Sequence, residues 1–249
     1  MLGPWAPLFW SLVLLAAVWL TGRRLTWYFL STVYLLTRSP NAASSLYALV
    51  LLPGTVVHEA SHWLMAKLVG VRTGSISIFP SRGRGGSYQL GFVTVRGGAL
   101  WQHTLIGLAP LLVGCLLTYW LATGLFEVSA LQQAWLARRW ADIGAVVAAG
   151  LRGPDAWLRL YLLFAISDAM FLSAPDRAPV QRMLVYLAAV LTALYAVGWV
   201  PALPPEWTTA LQGAFAALAA GLAVTLGLHL TLLAVVWGLF QMARRLVNW

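Results

Sequence analysis

The chain reads as an all-α polytopic membrane protein with about six transmembrane helices and one short β-hairpin, and three observations predict it. Of its 249 residues, 61% are hydrophobic and 9% are charged, and the mean hydropathy is +0.79, far above that of a soluble domain. Its apolar runs approach or exceed the roughly 20 residues that carry a helix across hydrocarbon. Between two of these runs, residues 71–98 give up helical spacing for alternation with period two. No polar stretch is long enough to fold as a soluble domain, so residues 1–249 form a single membrane-embedded domain in this reading.

Residues 4–20 form the first apolar run. No charge precedes it and Arg23-Arg24 follow it, the reverse of a cleavable signal peptide, so a retained helix with its N-terminus outside is expected. Residues 25–37 are apolar and aromatic but short, and are expected as a separate tilted, thinned or re-entrant segment. After a polar break at Arg38 to Asn41, a helix is expected from about Ser44 to Val69, interrupted or kinked near Pro53-Gly54. Ser75 to Phe79 and Leu90 to Val95 alternate around the Gly/Arg/Ser stretch Ser81 to Ser87, which predicts the hairpin and a flexible tip. A sheet edge cannot face lipid, so the hairpin must lie at the interface or line a cavity.

Residues 101–125 make the next span, with Trp101 as interfacial anchor and Pro110 inside. Residues 131–149 mix Arg138, Arg139 and Asp142 with Trp and Ala, which suits one helix lying along the membrane surface. Another span is expected over 156–173 with Asp168 near its far end, followed by a break at Ser173-Ala-Pro175 before Asp176. Spans at about 183–200 and 212–240 complete the chain, with Pro201, Pro204 and Pro205 marking the turn between them.

The formal net charge of +9 comes from basic residues placed between hydrophobic segments, not interleaved with a stacking surface, so nucleic acid is not an expected partner. With the N-terminus outside and 25–37 counted as a crossing, the charges read as topology signals that put Arg23-Arg24, Lys67 to Arg96, Arg177 with Arg182, and Arg244-Arg245 on the cytoplasmic side, with Arg38 and the Arg138 to Arg159 group as exceptions. The single cysteine, Cys115, lies inside an apolar run, which excludes a disulfide framework and a cysteine metal site.

The chemistry concentrates in His58-Glu59-Ala60-Ser61-His62, within an apolar helical run. Residues four apart project from nearly the same side of a helix, so the two imidazoles form a two-point grip on a metal ion. Glu59 is placed to take a proton from metal-bound water, and H-E-x-x-H on a helix therefore reads as zinc plus general base. Ionisable groups at mid-membrane cost on the order of 2.5–3.5 kcal/mol and are functional by default. A catalytic zinc needs a third protein ligand and an open position. Of the seven acidic residues, Glu127, Asp142, Asp155 and Glu206 fall in interfacial or polar segments, which leaves Asp168 and Asp176. His103 and His229 read as interfacial or hydrogen-bonded histidines.

At this point the chain resembles the site-2 protease family of intramembrane metalloproteases, over roughly residues 50–182. In that family an H-E-x-x-H helix is joined by an aspartate from a later motif, which runs from an Asn through a proline-containing stretch to Leu-Asp-Gly. Asp168 stands at the Asn position and Asp176, preceded by Pro175, at the ligand position. The hairpin and Gly107-Leu-Ala-Pro-Leu111, similar to the family's Gly-Pro segment, fall in the expected order. Asp168 replaces the Asn, Pro175 and Arg177 stand where Leu and Gly are usual, and Ala109 replaces the Gly before the proline.

The resemblance implies a zinc endopeptidase that cleaves a transmembrane protein substrate in or beside the bilayer, with one Zn2+ per chain on His58, His62 and Asp176. Glu59 is the implied catalytic base, while Asp168 and Ser173 would contact substrate or support a ligand. Residues 44–182 are the implied metalloprotease core and 183–249 the C-terminal helices. The expected location is the cytoplasmic membrane of a prokaryote, as a multi-pass protein. The competing reading is a non-catalytic metal-binding membrane protein or an ion transporter, since polar residues on discontinuous helices also mark transport paths. No internal repeat is visible in support of it.

Overall fold

The computed structural model describes residues 5–78, 81–82, 88–89, 91–196, 198 and 204–247. It is mostly helical, with a small antiparallel sheet between the third and fourth helices. Helix α1 (Ala6–Thr37) is continuous through Arg23-Arg24, so residues 25–37 are not the separate segment expected. Arginine is a good helix former, and Arg23 lies 5.0 Å over the Trp19 ring of the same helix. Arg38, at φ 55°, ends α1. The hydroxyl of Ser39 then caps α2 (Pro40–Val50) by accepting from Ala42 N–H at 3.2 Å.

Helix α3 (Leu52–Leu68) meets α2 at a bend of 69°. The break falls at Leu51, just ahead of Pro53-Gly54, because proline is tolerated in a first turn whose N–H groups have no intrahelical partner. Strands β1 (Arg72–Ser77) and β4 (Phe92–Arg96) pair antiparallel, with a register irregularity between Thr73 and Ile76. Beyond them β2 (Ser81–Arg82) pairs with β3 (Tyr88–Gln89). Phe79, Leu90 and the tip 83–87 lie outside the described residues.

Helix α4 (Leu100–Leu125) carries Pro110 inside it. The surface helix expected over 131–149 is instead two, α5 (Val128–Leu136) and α6 (Trp140–Leu151), parted where Arg138 adopts φ 55°. Helix α7 (Ala156–Ala169) stops short of the expected 173 and has 14 residues, about 21 Å, too short to cross hydrocarbon alone. The break ahead of Asp176 ends at Ser173 and does not extend to Pro175: α8 (Ala174–Ala196) starts there and carries Asp176 in its first turn. Helix α9 (Pro205–Leu246) has 42 residues, and Pro201 lies outside the described residues.

Four helices, α1, α4, most of α8 and α9, are long and apolar enough to cross a membrane, or five if the bent α2–α3 pair counts as one. The molecule is therefore a membrane protein. Helices α1 and α9 run side by side in the same direction. Ser11 donates to the Phe215 carbonyl at 2.8 Å, Thr21 meets His229 at 3.4 Å, and Tyr28 meets Phe240 with ring centres 5.3 Å apart. Because α9 ends in Arg244-Arg245 and spans about 63 Å, cysteine-accessibility labelling should find Arg244 on one membrane face and Pro204 on the other. Labelling that puts Arg244 and Pro204 on the same face would refute this sidedness.

Helix α3 is held against α7 by a close approach at Gly54, where a Cβ would overlap the backbone carbonyl of Ala165. Backbone cannot move aside as a side-chain tip can. Gly54→Ala is therefore expected to destabilise the fold by about 1–3 kcal/mol or more, as overpacking does. Thermal unfolding in detergent reads the effect, and a melting curve like the parent's would show that α3 and α7 can part to admit the methyl group.

Candidate metal centre

Three side chains from two distant parts of the chain converge. His58 and His62 project from α3, and Asp176 from the first turn of α8. The two Nε2 atoms are 3.1 Å apart. Asp176 Oδ1 is 3.4 Å from His62 Nε2, and its Oδ2 is 3.8 Å from His58 Nε2. One ligand atom from each of the three lies within 4.8 Å of the others, so the cluster could hold a metal ion.

The neighbouring backbone fixes which nitrogen faces the centre. His58 Nδ1 donates to the Ala169 carbonyl at 2.7 Å, and His62 Nδ1 to the Ile106 carbonyl at 2.8 Å. A carbonyl only accepts, so each Nδ1 carries a proton and Nε2 is the nitrogen that each ring turns inward, free to bind a metal once it has lost its own proton. Both acceptors are available for local reasons. Ala169 is the last residue of α7, where carbonyls have no intrahelical donor. Ile106 stands four residues before Pro110, which has no N–H to give it. A helix end and an internal proline thus supply the orienting contacts that metal-binding histidines generally have.

Asp176 is held in turn. Its Oδ2 accepts from Ser173 N–H at 3.1 Å and from the Ser173 hydroxyl. An acidic side chain reaching back to the N–H just ahead of its own helix is half of a capping box. Gly107 on α4 lets this turn come near, since a Cβ there would lie 2.8 Å from the Asp176 carbonyl oxygen.

With both rings neutral, two inward lone pairs and a carboxylate make three electron-rich groups facing one point. Without a shared proton or a cation this arrangement is repulsive. Two imidazole nitrogens and one carboxylate are also the donor set of many catalytic zinc sites. The residues present fit the metal that the motif implies.

Glu59, next in sequence to His58, is 5% exposed. Its Oε2 is buried with no hydrogen-bond partner among the described residues. The sheet packs directly on it: a Cβ on Gly91, just ahead of β4, would lie 2.8 Å from both Glu59 Cγ and the Ser77 carbonyl oxygen. A buried, unpartnered carboxylate oxygen is costly to keep for packing alone.

Asp168 lies outside the cluster. It accepts from the Tyr47 hydroxyl at 2.8 Å, and Tyr47 in turn meets Thr26 at 2.7 Å. Beside it, fully buried His229 meets Ser167 at 3.0 Å through Nε2. This network ties the end of α7 to α1, α2 and α9, and the next residue, Ala169, gives His58 its carbonyl. Asp168 thus bears on the metal centre by fixing where α7 ends. His103 donates from Nε2 to the Gly97 carbonyl at 2.9 Å, beside the sheet.

Sequence reasoning named His58, Glu59, His62, Asp168, Ser173 and Asp176 but not the two carbonyls. A signal was present for one of them: a proline inside an apolar helix frees the carbonyl four residues earlier. No protein-family model matches the chain, and no curated protein and no solved structure matches it.

Proposed function

We propose that the chain is an intramembrane zinc endopeptidase, hydrolysing a peptide bond in or near a transmembrane segment of another membrane protein, in the cytoplasmic membrane of a prokaryote. The observation that carries this reading is the pairing of the three-ligand cluster with a buried, unpartnered Glu59 carboxylate beside it. A purely structural metal site has no need of that extra carboxylate. The donor set favours zinc over harder cations, which prefer all-oxygen sites.

His58, His62 and Asp176 would hold the ion. Bound there, zinc would supply Lewis acidity toward a carbonyl oxygen and toward water. The chain's own residues do the rest. Glu59 accepts a proton from the attacking water at its free Oε2 and returns it to the leaving amine, so one carboxylate serves as base and then as acid. The wall of Gly91 and β4 excludes bulk solvent from that carboxylate. The sheet supports recognition as well. It has only two strands in register among the described residues, and an unwound substrate segment added to its edge would satisfy backbone groups that lipid cannot.

The test is a cleavage assay with the purified full chain on a panel of single-span substrates, with metal content measured on the same sample. Cleavage that tracks zinc content supports the reading. A zinc-loaded protein that cleaves none of the panel counts against it and favours a non-catalytic metal site.

A further inference from the structure

We propose that Arg72 and Arg96, at the root of the sheet, clamp a phosphate group, and that its source is the phosphodiester headgroup of an anionic phospholipid. The two arginines stand directly opposite each other in the β1–β4 register. Opposed residues of an antiparallel pair project from one face with Cβ atoms about 5 Å apart, where like charges repel. No carboxylate relieves them: among the described residues no ion pair joins an acidic side chain to Arg72 or Arg96. A register that sets two arginines opposite each other lets both side chains reach one shared anion, and the planar fork of arginine suits a phosphate.

The space for that anion is present. A cleft of about 670 Å³ opens beside the pair, walled by Gly70, Gly97, Gly98 and Gln102 and lined by no acidic residue. Its size falls within the roughly 300–1,000 Å³ of small-molecule sites. The three glycines take φ values of 75°, 73° and 101°. A Cβ on Gly70 or Gly97 would meet nothing within 4 Å, so these walls are bare backbone facing open space, where a ligand can come close.

Two features favour a lipid over a free ion. Trp101, at the start of α4 beside the sheet, is 50% exposed, and tryptophan is enriched at the membrane–water boundary. Lys67, three residues before the cleft wall at Gly70, sits 5.8 Å over the Trp63 ring and adds a third cation in this part of the chain. Basic residues beside a membrane helix attract anionic headgroups.

The clamp does not depend on the protease reading. The experiment uses the full chain in phosphatidylcholine nanodiscs and in detergent, titrated with short-chain phosphatidylglycerol, short-chain phosphatidylcholine or inorganic phosphate, with retained ligand read by native mass spectrometry. Phosphatidylglycerol is expected to bind. Arg72→Gln with Arg96→Gln should weaken it roughly thirtyfold, about fivefold for each basic residue. Arg72→Lys with Arg96→Lys should recover part of the loss, since charge returns without the fork. Both sites are exposed, and an unchanged circular dichroism spectrum checks that the variants fold. Equal retention of phosphatidylglycerol by the parent and the double glutamine variant overturns the clamp, and so does equal affinity for phosphatidylcholine. Inorganic phosphate that binds as tightly, and is lost in the same variant, keeps the clamp but overturns lipid as its source.

Discussion

Glu59→Gln is expected to keep the bound metal while lowering substrate cleavage by at least about a hundredfold, the low end of what a positioned general base contributes. The amide nearly matches the carboxylate in shape, so packing against Gly91 should persist. Its basicity is gone. The buried Oε2 has no hydrogen-bond partner among the described residues, so the substitution breaks no structural contact there and the loss should be confined to the chemical step. Metal content and turnover measured on one preparation check the result. Turnover close to the parent's would remove Glu59 from the reaction and with it the endopeptidase reading, while leaving the metal site intact.

The second large effect concerns the metal itself. Asp176→Ala should lose both metal and activity, because it removes the single anion from a site whose other ligands are neutral imidazoles. The loss should exceed the roughly 10–100-fold in affinity that an outer partner of a ligand usually costs. Replacing His58 and His62 together with alanine should abolish zinc binding, and full occupancy in that variant would place the metal elsewhere. Asp168→Asn should behave differently. The amide oxygen can still accept from Tyr47, so the end of α7 and the Ala169 carbonyl should stay in place, with zinc and much of the activity retained. Zinc lost from Asp168→Asn but kept by Asp176→Asn would reverse the assignment of the ligand.

The sequence by itself determined the membrane character, through long apolar runs that only lipid can accommodate, and the two-point grip of His58 and His62, through helical spacing. Both are local properties, set by composition and by the pitch of one helix. The antiparallel sheet was legible for the same reason, since alternation with period two needs no distant partner. Boundaries that depend on context were not. Arg23-Arg24 reads as a loop in isolation, yet α1 continues through it because the whole helix has α9 to pack along. Helix α7 ends before its apolar pattern does, because the next turn must bring Asp176 back toward α3. The choice between Asp168 and Asp176 was open from the residues alone, both being aspartates in apolar sequence. Only the tertiary structure turns one toward the histidines and the other toward Tyr47. The orienting carbonyls of Ala169 and Ile106 belong to the same class: a carbonyl has no side-chain identity to read, and its value to the site comes from which helix is packed against it.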